Sequence, residues 1–156
     1  MRAINLEGQT ALVTGGTRGL GLAIALGLAE AGARVTVCGR TEPESLPSTL
    51  SYFSADVRDP DAARDMVRSI AEANGRFDIL VNNAGGSPQC PAAEASPRFI
   101  DAIMKLNLLA PLYLAQAAYT YMAQQKSGSI VNIASVSGIR PSPGTAAYGA
   151  AKAGLL

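Results

Sequence analysis

The chain has 156 residues, enough for one domain with a core of its own. Lys and Arg number 13 against 12 Asp and Glu, and the net charge of +1 is spread without a basic run, which excludes the one-signed field that nucleic acid or an anionic membrane requires. Histidine is absent, so a Ser–His–Asp triad, a histidine metal site and a histidine general base are excluded as well.

In chain order, the opening MRAINLEGQ is broken by Asn5, Glu7 and Gln9 and does not read as a signal peptide. No later stretch reaches the length of a membrane span, and the expected location is cytoplasmic. Residues 10–15, TALVTG, form a short apolar run ending in glycine, the pattern of a buried strand. Residues 19–33, rich in Ala and Leu, read as a helix stopped by Gly32. Residues 34–39, RVTVCG, are a β-branched strand; residues 42–50, with two prolines, a loop; residues 51–57, SYFSADV, a third strand. Asp59 and Pro60 suit the N-cap and first position of a helix that Gly75 closes. Residues 78–86, DILVNNAGG, are a fourth strand running into a turn, and residues 87–97 a second loop. A long helical stretch runs from about 98 to 126, and Pro111 predicts a kink or break near Asn107. Residues 128–135, GSIVNIAS, are a fifth strand, 136–147 a flexible loop, and 148–156, YGAAKAGLL, the start of another helix.

Strands alternating with helices, in a chain 48% hydrophobic and only 16% charged, predict an α/β fold: a doubly wound parallel sheet covered on both faces. Cys38 and Cys90 make no C-x-x-C pair and are expected to be reduced and inert. No metal site is expected.

The first strand runs into TGGTRGLG, where Gly15, Gly19 and Gly21 are spaced G-x-x-x-G-x-G. A strand, a glycine turn and a helix start together make an anion site, because backbone N–H groups and the helix dipole point at a phosphate that missing side chains allow to approach. By itself the spacing also fits a tight turn without a ligand. At the end of the second strand, where a carboxylate would hold a ribose 2′-hydroxyl, stand Gly39 and Arg40; Arg18 lies within the glycine turn. Two guanidinium groups there point to a 2′-phosphate, and hence to NADP(H) rather than NAD(H).

NNAG at 82–85, Ser135 thirteen residues before Tyr148, and Tyr148 four residues before Lys152 complete a pattern. With the glycine turn, ADV at 55–57, Asn107 in KLNLLAP and SIVNIASVSG, all in order, the chain resembles the short-chain dehydrogenase/reductase family, and within it the 3-oxoacyl-acyl-carrier-protein reductases, whose motifs sugar, steroid and quinone reductases share. The resemblance implies a Rossmann-type dinucleotide-binding domain over 1–156. It implies cofactor contacts from Gly15, Thr17, Arg18, Gly19, Leu20 and Gly21 (phosphates), Arg40 (2′-phosphate), Asp56 and Val57 (adenine), Asn83, Ala84 and Gly85 (the fourth strand), and Tyr148 and Lys152 (the nicotinamide side). Catalysis falls to Asn107, Ser135, Tyr148 and Lys152, with Ser137 as a rival to Ser135. An ammonium one helical turn from a tyrosine favours phenolate, which makes a proton shuttle for a carbonyl or alcohol. A serine at the reacting oxygen steadies the charge that develops there, and by resemblance Asn107 holds a water that relays protons from Lys152.

Family members continue this helix and add two strands, a Pro-Gly turn and a substrate loop, so the fold is expected to be truncated after the fifth strand. The expected partner is a small carbonyl or alcohol molecule, with a homo-oligomer in the full-length form. A non-catalytic NADP(H)-binding module, an inactive fragment of a longer reductase and an assembly piece are the competing readings.

Overall fold

The computed structural model describes residues 4–140 and 142–156. Met1 to Ala3 and Pro141 lie outside the described residues, and with them the first positions of the amino-terminal stretch and one position of loop 136–147. Five strands, β1 (Thr10–Thr14), β2 (Arg34–Gly39), β3 (Leu50–Ser54), β4 (Ile79–Asn82) and β5 (Ser129–Asn132), form one parallel sheet in the order β3-β2-β1-β4-β5. The helices are α1 (Gly19–Glu30), α2 (Pro60–Asn74), α3 (Pro97–Met104), α4 (Ala110–Gln125) and α5 (Ala146–Leu155).

β1 is buried at every residue, which explains its unbroken apolar run. Its side chains still alternate between two cores. Ala11 and Val13 face Val35, Val37, Val81 and Ala25 of α1; Leu12 faces Met66 and Val67 of α2 and Leu114 and Ala118 of α4. A fully buried side chain of this size contributes about 1.5–3 kcal/mol, so the two cores hold the layers together. The chain winds outward from β1 to β3, then returns to the other side of β1 for β4 and β5. That reversal puts a switch point, and hence a crevice, at the carboxyl ends of β1 and β4.

The amino ends of the strands are fastened by Asp78, which is only 4% exposed. Its Oδ2 accepts from the Thr10 N–H at 2.8 Å and from Arg76 Nε at 2.7 Å, and its Oδ1 accepts from Arg76 Nη2 at 2.7 Å. Burial pushes its carboxyl up, but Arg76, the Thr10 N–H and the charge of Arg34 together hold it below its ordinary 3.8.

Asp59 caps α2, accepting from the Asp61 and Ala62 N–H groups, Pro60 opens the helix, and Gly75 ends it at φ +71. The stretch at 98–126 is interrupted around Asn107, where a kink or break is expected, yet it stays helical. It does not break: α3 passes through a π turn, Lys105–Leu109, into α4. Pro111 follows that turn, so its missing N–H falls where the regular helical ladder is already interrupted. β3 ends at Ser54, and Ala55 and Val57 leave the strand to be buried in the loop beyond it. The loop at 136–147 is partly ordered, with a 3-10 turn at Val136–Gly138, a Cys90 N–H donated to the Gly144 carbonyl at 2.9 Å, and α5 starting at Ala146 rather than Tyr148. β5 lies at the sheet edge, with Ile130 and Val131 exposed. Among the described residues, no helix is long and apolar enough to cross a membrane.

Candidate active site

The carboxyl ends of β1, β2, β3 and β4 surround a cleft of about 910 Å³. Its lining brings together Gly15, Thr17, Arg18, Gly19, Leu20, Gly21, Arg40, Asp56, Val57, Asn83, Ala84 and Gly85, every residue expected at a cofactor except Tyr148 and Lys152.

The glycine turn is shaped by close approach. A methyl on Gly21 would fall within van der Waals contact of the Gly15 carbonyl oxygen and of Asn83 Nδ2, so only hydrogen fits. Gly19 has φ +56 and open space where a side chain would stand. Arg18 precedes α1 without a side-chain cap, and no acid occupies the first turn. Those first-turn N–H groups, with the positive end of the helix dipole, fit a pyrophosphate. Arg18 and Arg40 are exposed at the mouth and make no ion pair among the described residues. Asp56 is held below its ordinary range, chiefly by the hydrogen-bonded Arg58 guanidinium beside it. Val57 is buried in the core, 6% exposed, so its side chain supports the wall.

The turn after β4 is bolted to the glycine turn by Thr14, which the sequence did not single out. Its Oγ1 accepts from the N–H groups of Asn83 at 3.0 Å and Ala84 at 2.9 Å. Asn83 Nδ2 in turn donates to the carbonyls of Thr14 at 2.9 Å and Gly15 at 3.2 Å. The amide nitrogen of Asn83 is therefore committed to the protein, while Asn83 still lines the cleft. Arg58 was missed in the same way, because a cation two residues from an acid in a loop carries no periodic signal. The Cys38 thiol in the same wall is pushed up to about 11 by burial and is inert.

Asn107 is fully buried in the π turn. Its Oδ1 accepts from the Gly86 N–H at 2.8 Å, and its Nδ2 donates to the carbonyls of Gly86 and Ile103, both at 3.0 Å. Lys152, 3% exposed, donates from Nζ to the Ile133 carbonyl at 2.6 Å and lies 5.8 Å from the centroid of the Tyr148 ring. Burial holds its ammonium below the usual lysine range. The two side chains converge on Gly85, where a methyl would stand 2.8 Å from Asn107 Oδ1 and 3.5 Å from Lys152 Nζ.

Ser135 caps the 3-10 turn, its Oγ accepting from the Ser137 N–H at 3.2 Å. That turn rests directly on α5. A methyl on Gly149 would meet the Ser137 carbonyl oxygen at 2.9 Å, and one on Gly138 the Lys152 carbonyl carbon at 2.8 Å. Tyr148 is half-buried and opens on a separate apolar hollow of about 260 Å³ lined also by Ser87, Cys90, Phe99 and Ile100.

The family model described as short chain dehydrogenase matches residues 9–156. The chain belongs to the short-chain dehydrogenase/reductase family. This is a family of oxidoreductases that use nicotinamide cofactors. The chain is 42% identical to a gluconate 5-dehydrogenase of Gluconobacter oxydans over 95% of its own length and 61% of that protein's. It is 34% identical to the 3-oxoacyl-[acyl-carrier-protein] reductase FabG of Thermotoga maritima, over 98% of its length and 66% of that protein's. A crystal structure from Sinorhizobium meliloti 1021, provisionally described as a short-chain alcohol dehydrogenase, superposes with a TM-score of 0.91 at 40% identity, covering 98% of this chain and 64% of that one. The chain thus spans just under two thirds of the length of these short-chain dehydrogenase/reductase relatives.

Proposed function

We propose that this chain carries the cofactor cleft and the proton-transfer residues of an NADP(H)-dependent oxidoreductase acting on a small carbonyl or secondary-alcohol substrate. The observation that carries this reading is the position of Lys152, which is buried on α5 beside Tyr148 with its ammonium at Gly85 on the lip of the cleft. When bound, the nicotinamide supplies or accepts the hydride. Tyr148 gives a proton to the carbonyl oxygen in reduction and takes one from the hydroxyl in oxidation. The Lys152 ammonium sits beside the Tyr148 ring, and the Ile133 carbonyl fixes where that charge lies. Ser135 donates to the substrate oxygen as negative charge builds on it. Both N–H bonds of Asn107 are already committed, so its share in a proton relay is the remaining lone pair of Oδ1 and the wall it holds.

Arg18 and Arg40 favour a 2′-phosphate over a bare ribose hydroxyl, which is the support for NADP(H). Free thiols at Cys38 and Cys90 suit a cytoplasmic location. Leu112 and Tyr119, exposed on α4, are where a second copy would pack.

The test is Tyr148→Phe in a full-length form. It should abolish turnover of a carbonyl substrate while NADPH binding, followed by fluorescence, stays largely intact. Retained turnover would assign the proton transfer to another group. A wild-type protein that bound NADPH and reduced nothing in a carbonyl panel would instead be a cofactor-binding module.

A further inference from the structure

The mouth of the cleft holds a second guanidinium–carboxylate system beside Arg40. Asp56 stands at the carboxyl end of β3, and Arg58 wraps back onto it. Arg58 Nε donates to Asp56 Oδ1 at 2.9 Å and to Oδ2 at 3.1 Å, and Nη2 donates to Oδ2 at 2.6 Å. The backbone N–H of Arg58 adds a bond to Oδ1 at 3.0 Å. All four bonds come from one residue, and both carboxylate oxygens are occupied. Arg40 lies close enough for its charge to stabilise the Asp56 carboxylate, yet it forms no hydrogen bond and no ion pair with it. Asp56, Arg58 and Arg40 all line the cleft.

We propose that Arg58 is a positioning residue for cofactor choice: by holding the Asp56 carboxylate it keeps the Arg40 guanidinium free to take a 2′-phosphate. This rests on the assignment of the cleft to NADP(H). Without Arg58, Asp56 is an unpaired anion in a partly enclosed cleft, and Arg40 is the cation whose charge it already feels. A guanidinium prefers a carboxylate that can accept two of its N–H bonds, so Arg40 turns inward to Asp56. The 2′-phosphate then loses one charge-assisted partner and approaches a cleft with one cation fewer. Both effects fall more heavily on the 2′-phosphate than on the adenosine 5′-phosphate.

The groove behind the pair holds two further cations. It is lined by Asp59, Arg98, Asp101 and Lys105 besides the pair itself. Asp59 is spent on the N-terminus of α2. Arg98 and Lys105, like Arg40, make no ion pair with Asp56, but of the three only Arg40 bears on its carboxylate by charge.

The experiment compares the affinities of 2′,5′-ADP and 5′-AMP by calorimetry for the full chain and three variants. The ratio of the two affinities is the readout, because it cancels any contact that Asp56 makes with adenine. Arg58→Ala should lower the ratio roughly tenfold, the worth of one charge-assisted hydrogen bond. Arg58→Ala with Asp56→Asn should restore it, since the anion that captures Arg40 is gone. Arg58→Lys should hold an intermediate ratio and covers the case in which the alanine variant folds poorly. If Arg58→Ala leaves the ratio unchanged, the proposal fails. If the double variant stays low, Arg58 touches the 2′-phosphate itself and the proposal also fails. A wild-type protein with no preference for 2′,5′-ADP would overturn the NADP(H) reading, and the proposal with it, before any variant is compared.

Discussion

Among the buried polar side chains, Asp78 shows most plainly what a paired charge contributes. Its carboxylate gathers a backbone N–H from β1 and a forked guanidinium from Arg76, with burial opposing them. Because the folded form holds this proton more weakly than the unfolded form, the group stabilises the fold fully above its ordinary 3.8, and that contribution is lost as pH falls below it. Asp78→Asn should therefore cost about 2 kcal/mol near neutral pH, the size of a hydrogen bond to a charged group. In urea unfolding, the gap between wild type and variant should narrow as pH falls below 3.8. A gap that persisted in acid would show that packing, and not charge, carries the effect.

At the scale of elements, α1 contains glycines of opposite kinds. Gly21 lies where the helix start presses on the Gly15 carbonyl and Asn83, whereas Gly27 has nothing within 4 Å of where a methyl would go. The obstacle at Gly21 is backbone, which cannot step aside as a flexible side chain can. Gly21→Ala should destabilise by about 2 kcal/mol or more through overpacking. Gly27→Ala should stabilise by roughly 0.5–1 kcal/mol by removing chain entropy from the unfolded state. Thermal melting of the two variants should move in opposite directions, and a shared direction would mean that α1 is not seated against the turn as described. The π turn at Lys105–Leu109 is a further element-scale device. It sets Asn107 facing Gly86 without breaking the long helical stretch.

The cleft belongs to the whole molecule, since the ends of four strands and the connections that follow them compose it. The preference proposed for it is a matter of summed charge, with Arg18 and Arg40 at the mouth free of ion pairs among the described residues. Arg40→Asp removes one guanidinium and supplies an acceptor for a ribose hydroxyl. It should weaken NADPH and strengthen NADH, read as the ratio of their dissociation constants by fluorescence titration. An unchanged ratio would remove the 2′-phosphate role from Arg40.

Much of this was legible in the chain alone. Alternating apolar runs and helical stretches yielded the parallel sheet, Asp59, Pro60 and Gly75 marked the ends of α2, and the ordered motifs from Gly15 to Lys152 yielded the family. These are local patterns, with causes that lie within a few residues of one another. Other features came only from the tertiary structure: the bolting of Asn83 to Thr14 across 69 positions, the clasp of Asn107 on Gly86, the grip of Arg58 on Asp56, and the continuity of the helix at Pro111. A side chain's hydrogen-bond partner depends on which backbone the fold delivers to it, and neither spacing nor composition encodes that delivery. The sequence determined which groups are present for the proposed phosphate binding and proton transfer. The packing of α5 and the 3-10 turn against the end of the sheet decided which of them meet, because a buried polar group is costly unless the fold brings a partner within reach, as it brings the Ile133 carbonyl to Lys152.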